Sequence, residues 1–505
     1  MEKTPADLAK QAIEDLYAKF SDDPHIFSKM HNYICFKLPA VIEDMKRADS
    51  ERRERNEALA AEQDSFIHSF LNKHQYFYCP QTERFFYYDG VHYNSCKEDD
   101  VLHHVLSTIT KDRSVLLPRK PQTKVYVMKR VKESNPLKSI PESETIQSVL
   151  DALCPAIFHT KSAAKYFLSI IGDHLLKKTD ETTHVYFATS KAKEFLKELG
   201  NMGQICFGVN ATSSFKHKYH GHAYKTIRLV KISDAVKSWR SILLTNALDL
   251  FCVAAHYSER YESADNYLEH HSDDADLIRN ALYFRGKTAE YIVSDFTSEF
   301  RVCNKADLCA NGNPPLISMS TMEYMWRKYL KDRQYPSVLS IPAFLSTSKQ
   351  ILEQYYDAEM DGFVGITNPS IHTVDKFHRF WSQHITLDSL EPLLEYEIGE
   401  LVALYREDTK DKRMTESQML DLIRFYHEEI QIVDNKHVQG IYCSLWNKKQ
   451  ELGKFFSNME FGDQISFYDA YTIYLRDKKR RVVSKAYFEK YICCELAFED
   501  GCILR

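Results

Sequence analysis

Gly286-Lys287-Thr288, with Ala281 at the place of an earlier glycine, is the nearest approach in this chain to a phosphate-binding loop. Such a loop needs small residues so that backbone N–H groups can close on phosphate, a Lys that reaches the charge, and a hydroxyl for magnesium. Here Leu282, Tyr283, Phe284 and Arg285 crowd it, and the preceding ADLIRNALYF is patterned as a helix rather than a strand. The triplet therefore reads as a helix end, with a nucleotide site only as an alternative. His217, His220 and His222, with Cys206 upstream, have a spacing that suits a metal. The lysines between them repel a cation, so they read as a basic or core-polar cluster. Asp357 and Asp361 would be paired carboxylates on a helix, yet Gly362 marks a turn. His256 reads as a buried, hydrogen-bonded histidine. No Ser-His-Asp or Cys-His arrangement stands out, so no catalytic residue, cofactor or metal ligand is assigned.

Cationic side chains carry the stronger signal. The formal net charge of −5 hides three basic islands. Residues 111–138 hold nine cations against two acids, among them Arg119, Lys120, Lys124, Lys129, Arg130 and Lys132. Residues 216–240 hold seven against one, including Lys216, Lys218, Lys225 and Arg228. Residues 476–490 hold seven against two, including Lys478, Lys479, Arg480, Arg481 and Lys485. Aromatics and histidines are interleaved (Tyr126; His217, Tyr219, His220, His222, Tyr224; Tyr487, Tyr491) and offer faces for stacking on bases. Basic islands on an acidic body suit a nucleic-acid partner, DNA or RNA, bound chiefly through phosphates.

The elements that must position these residues follow from pattern. In 505 residues, 44% hydrophobic and 27% charged, there is material for about three domains. Only 15 glycines, against a usual share of about 7%, favour helices. Twelve scattered cysteines without a CxxC pair point to a reducing compartment. The most apolar stretch, Ser241 to Ala255, is interrupted by Asp249 and falls short of the roughly 20 residues a bilayer span requires.

The expected class is α+β, predominantly helical. Residues 1–73 form a helical extension, and 74–180 a small mixed domain with an aromatic hairpin at Asp89-Gly90. Lys124 to Val131 is expected to be a basic strand, and Lys161 to Lys178 an amphipathic helix. Residues 181–390 form a helical middle with strands at His184 to Thr189, Gln204 to Asn210 and Thr226 to Ile232. In 391–505, Ser466 caps FYDAYTIYL, RDKKRRVV connects, and Ser484 caps KAYFEKYI, the outline of a winged-helix-like unit. No internal repeat stands out.

The phrases TKVYVMKRVK, ESETIQSVLDALCPAIF, AKYFLSIIGDHLLKK, AAHYSERYESADNYL, MEYMWRKYL, FHRFWSQHI and VSKAYFEKYI occur in one order from Gln75 to the C-terminus. Together they resemble the poxvirus-type primase–helicase proteins of nucleocytoplasmic large DNA viruses, a superfamily 3 group. The resemblance implies a helicase-associated domain over 74–180, an ATPase core over 181–390 and a carboxy-terminal winged helix. The core's phosphate loop would fall at Thr189-Ser190-Lys191-Ala192-Lys193, which lacks glycine, and its acidic strand near Arg228 and Lys231. The resemblance thus implies nucleic-acid binding without hydrolysis, in viral replication or expression, in the host cytoplasm or viral factory, with other viral proteins as further partners. The alternatives are an ATP-driven helicase using Lys287 and a scaffold or virion protein docking protein partners.

Overall fold

In the computed structural model the chain forms two compact units, Met1–Arg285 and Gly286–Arg505. The structure describes residues 4–178, 184–233, 239–304, 316–387, 395–460, 464–477, 481–499 and 501–504. It is predominantly helical with several small sheets, an α+β chain. Among the described residues no helix is long and apolar enough to cross a membrane.

The first unit begins with α1 (Pro5–Lys19), α2 (Pro24–Asn32) and the long α3 (Leu38–Lys73). An antiparallel meander follows: β1 (Gln75–Cys79), β2 (Arg84–Tyr88) and β3 (Tyr93–Cys96). The Asp89 carboxylate accepts from Val91 N and His92 N at 2.8 and 2.7 Å, which builds the expected Asp-Gly turn. Next come α4 (Glu98–Asp112), α5 (Lys120–Glu133), α6 (Ser143–Leu153) and α7 (Lys161–Leu175). A parallel sheet of order β5-β4-β6 is built from β4 (Val185–Phe187), α8 (Lys193–Phe207), β5 (Phe215–Lys216) and β6 (Ile227–Leu229). The unit ends with α9 (Trp239–Tyr261), α10 (Ala264–Asn266) and α11 (Ala275–Ala281).

Two expected strands are helices. Over residues 124–131 the alternation is overridden by Thr123, Val127 and Val131, which recur every four residues and lie buried with α3 and α4. Residues 204–207 end α8, whose Phe207 enters the core before Gly208 stops the helix at φ +71°. The expected boundary at 180/181 does not divide the core, because one apolar cluster runs from Cys79 to Ala281.

Helix α7 sits at the centre of that cluster, buried on every side from Tyr166 to Leu175. It meets α9 closely at Gly172, where an added Cβ would lie 2.1 Å from the Ala254 carbonyl oxygen. Each helix carries one buried carboxylate. Asp173 accepts from Ser258 Oγ at 2.5 Å and from Ala264 N at 2.8 Å. Asp249, which interrupts the apolar run of α9, accepts from Tyr93 N at 2.6 Å and pairs with His92 Nδ1 at 2.7 Å. It thereby ties the meander to the helical core.

The second unit contains α12 (Ala289–Thr297), β7 (Arg301–Val302), β8 (Leu316–Ser318), α13 (Met319–Arg333), α14 (Ile341–Ile351), β9 (Tyr356–Asp357), β10 (Gly362–Val364) and β11 (Ile366–Thr367). It continues with α15 (Ile371–His384), β12 (Ile385–Leu387), β13 (Glu395–Glu397), α16 (Ile398–Thr409), α17 (Glu416–Tyr426), β14 (Ile432–Val433), β15 (His437–Gln439) and β16 (Ile441–Cys443). It closes with α18 (Lys448–Asn458), β17 (Gln464–Ser466), α19 (Phe467–Asp477), α20 (Lys485–Glu495), β18 (Phe498–Glu499) and β19 (Cys502–Leu504).

This unit repeats one plan three times among the described residues: helix, strand, two helices, then a hairpin. The sheet orders are β8-β10-β9, β13-β15-β14 and β17-β19-β18, so the first strand always pairs with the last. Register repeats as well. The central pairs are Ile317 with Phe363, Tyr396 with Val438, and Ile465 with Ile503. The eighth residue of each first sheet-flanking helix is a fully buried aromatic, Trp326, Tyr405 or Tyr474. Each second helix is capped by a hydroxyl oxygen: Ser340 accepts from Ala343 N, Thr415 from Gln418 N, and Ser484 from Tyr487 N. The sequence conceals this repeat because the conserved feature is burial at fixed positions, filled by different apolar residues.

Burial pushes the Asp173 carboxyl up to about 6, against the hydrogen bonds of Ser258 and Ala264. Its folded value lies above its unfolded one, so its stabilising contribution is complete below about pH 4 and is lost as pH rises through about 6. The Tm advantage of wild type over Asp173→Asn is expected to be larger at pH 5 than at pH 7 in thermal melts. A gap that does not change with pH would contradict this.

Candidate nucleic-acid interface

The first island is the outer face of α5 and the turn before it. Thr123, Val127, Met128 and Val131 anchor the helix, which leaves Lys129, Arg130 and Lys132 exposed and Lys124 half-buried. Arg119 donates to Asn56 O at 3.2 Å and Lys120 to Thr110 Oγ1 at 2.8 Å. Lys132 pairs with Glu98 at 3.2 Å beside the rings of Tyr78 and Phe85, and Arg130 pairs with Glu133 at 3.5 Å. These surface pairs are weak, but they leave little charge in one place without a neighbour.

The second island divides. Lys216, Lys218, His220 and Lys225 are exposed around the end of the parallel sheet. His217 Nδ1 is 3.0 Å from Ala188 O, and the His222 ring packs against Phe187 and Tyr219, so neither turns toward a shared metal position. Arg228 is 3% exposed and cannot reach a phosphate outside the fold. Its guanidinium holds Asp265 at 2.6 Å and donates to Lys225 O and Ile227 O. Desolvation works against its charge, but the Asp265 hydrogen bonds outweigh it and raise the pKa further. Arg228 is therefore a structural cation that closes β6.

The third island is the connector between α19 and α20. Lys478, Lys479 and Arg480 lie outside the described residues. The connector's far end is fixed: Val483 is fully buried, its N–H donates to Tyr474 Oη at 3.0 Å and its carbonyl accepts from Tyr471 Oη at 3.1 Å. Phe488 of α20 inserts among Phe467, Tyr471 and Tyr474 of α19 and Phe455 and Phe456 of α18. Lys485 is exposed, its ammonium 4.3 Å above the Tyr468 ring. Arg481 donates to Leu445 O and to Glu407, each at 2.5 Å.

That last contact leads to a cluster the sequence islands do not include. Glu407 lies in the last turn of α16, just before the second repeat's connector, where Lys410, Lys412 and Arg413 are exposed. The connector is organised around Asp411, whose side chain is 2% exposed. Its carboxylate accepts from Arg413 N at 3.0 Å, Arg413 Nε at 3.3 Å and Lys376 Nζ at 3.4 Å. Burial opposes the charge, but these donors hold the Asp411 carboxyl below the usual carboxylate range. Lys376 and the exposed Arg379 reach this region from α15. The signal was present as Lys410-Asp411-Lys412-Arg413, which echoes Lys331-Asp332-Arg333 at the same place in the first repeat.

Neither alternative chemical site assembles. Gly286 follows a helix, Thr288 Oγ1 accepts from Tyr291 N to cap α12, and the Lys287 ammonium lies 4.0 Å over the Tyr291 ring. Asp357 accepts from Glu359 N and Met360 N in the β9–β10 turn, while Asp361 accepts from Lys349 and Tyr356. Those carboxylates shape a hairpin.

Replacing Arg228 with Met is expected to destabilise the protein by about 3–5 kcal/mol, since it leaves Asp265 without its principal partner. Lys129→Ala should stay within about 0.5 kcal/mol of wild type. Urea unfolding distinguishes the two, and equal midpoints would contradict the assignment of Arg228.

Compared with protein-family models, curated proteins and solved structures, the chain matches none of them.

Proposed function

We propose that this is a non-catalytic nucleic-acid-binding protein whose Gly286–Arg505 unit is a row of winged-helix-like modules. The observation that carries the reading is the third repeat. Its order of α18, β17, α19, α20 and the β18–β19 hairpin, with β17 paired to β19, matches the element order of a winged helix. The run of cations between α19 and α20, together with the exposed Lys485 at the start of α20, supplies positive charge beside that helix. The exposed lysines of 216–225 and of α5 add a second cationic surface on the first unit. The resemblance to primase–helicase proteins of large DNA viruses supports a role in viral genome replication or expression. Hydrolysis is not part of the reading, because Lys287 and Thr288 serve a helix start and ring packing.

Fluorescence anisotropy with labelled oligonucleotides at low salt tests the proposal. Binding is expected, with log K falling against log salt by about 0.9 per phosphate contacted on a duplex. Lys287→Ala should bind as wild type does, and neither protein should turn over ATP. No binding to any oligonucleotide, or an ATPase that Lys287→Ala abolishes, would overturn the reading.

A further inference from the structure

The first unit holds a cavity that takes no part in the basic surfaces described above. It measures about 260 Å³ and lies beyond the carboxyl end of β6, where Val230 and Lys231 leave the sheet. Parallel sheets ordinarily hold small ligands outside the carboxyl ends of their strands. Phe158, Ala163, Val230 and Leu277 give the cavity apolar walls, and Tyr166 of α7 and Asn280 of α11 also line it. Tyr166 is 1% exposed and Asn280 8%. Among the described residues neither Tyr166 Oη nor Asn280 Oδ1 has a hydrogen-bond partner. A buried polar atom left unpaired is unfavourable, and two in the wall of one cavity call for a partner from outside the chain. Desolvation, with Tyr186 and Asp265 nearby, holds the Tyr166 hydroxyl well above the ordinary tyrosine value, so it stays protonated and can donate.

The charged groups of the lining are satisfied differently. Thr160 Oγ1, which caps α7, donates to Asp274 at 3.0 Å, and Asp274, which caps α11, accepts from Leu277 N at 3.0 Å. Asp276 pairs with Arg279. Against these two carboxylates the lining offers one lysine, Lys231, and no arginine. A phosphate entering here meets more negative than positive charge, and a charged group beside Tyr166 and Asn280 finds no counter-ion.

We propose that this cavity binds an uncharged planar cyclic amide, the class that includes uracil and hypoxanthine, its N–H donating to Asn280 Oδ1 and its carbonyl accepting from Tyr166 Oη. The pairing follows from what each wall group lacks. An amide oxygen only accepts, so the ligand must bring a donor to Asn280, while a protonated phenol needs an acceptor. A ring N–H beside a carbonyl brings both on one edge. The apolar walls suit the faces of a flat ring, and a volume just under the ~300 Å³ of the smallest drug-sized pockets admits one ring system. The cavity lies wholly within Met1–Arg285, and its occupancy is independent of nucleic-acid binding.

Full-length protein is titrated with uracil and with hypoxanthine by isothermal calorimetry, beside doubly N-methylated uracil, which keeps the ring and both carbonyls but has no N–H. At least one of the two amides should bind, with the methylated analogue weaker by about tenfold or more. Asn280→Leu and Tyr166→Phe should each weaken binding by about tenfold. Each removes a buried polar atom that has no partner, so the Tm of the unliganded protein should hold or rise, which a structural role would not allow. Uridine monophosphate should bind no better than uridine. Failure of both amides to bind, equal binding of the methylated analogue, or preference for the monophosphate would overturn the proposal. A fall in Tm for both variants with binding unchanged would overturn it too.

Discussion

A helix–helix connector that crosses the end of a packed pair needs a buried anchor, and its other side chains must then face water. The second unit depends on this constraint. Asp411 in one repeat and Val483 in the next are drawn inside, the first by three donors and the second by two tyrosine hydroxyls. With Asp411 fixed inside, Lys410, Lys412 and Arg413 of the same connector are left exposed. An unpaired ammonium cannot be buried at tolerable cost, so the cations go outward. The exposed cations of the second repeat's connector thus follow from chain geometry as much as from composition.

The same logic decides which basic residues remain for a ligand. Arg228 shows the opposite outcome, a cation placed in the middle of a β-strand and satisfied wholly by Asp265 and two carbonyls. Lys448 is a second case, desolvated between aromatic rings and matched to Glu400. Its pKa is lowered by burial despite that carboxylate. Both look like binding residues when only charge is counted. Both are internal. The connectors differ because their carboxylates are fewer than their cations and one of those carboxylates is buried.

Much of the fold was legible where one local signal dominated. The Asp89-Gly90 turn, helix α7 and the caps at Ser466 and Ser484 rest on short-range hydrogen bonds or strong periodicity, and they stand as expected. Residues 124–131 misled because Lys124, Tyr126 and Met128 alternate with valines in a way that also suits a strand. The tertiary contacts of Val127 and Val131 with α3 and α4 decide for a helix. The threefold plan of the second unit was hidden for a different reason. Trp326, Tyr405 and Tyr474 occupy one structural position, but the first differs in type from the other two and the segments between them differ in length. Of the candidate interface, the third island was visible as a charge run. The second connector was not, because Asp411 and the nearby acids Glu407 and Asp408 mask it in any count along the chain. Only the fold shows that Asp411 points inward.

The most direct test of the account is lysine acetylation read by mass spectrometry, with and without a saturating DNA duplex at low salt. Lys410, Lys412, Lys478 and Lys479 should lose reactivity when the duplex is present, while Lys29, exposed on α2, keeps its reactivity. Protection confined to Lys29, or equal acetylation of all five lysines with bound duplex, would contradict the proposed phosphate-binding role of the basic connectors.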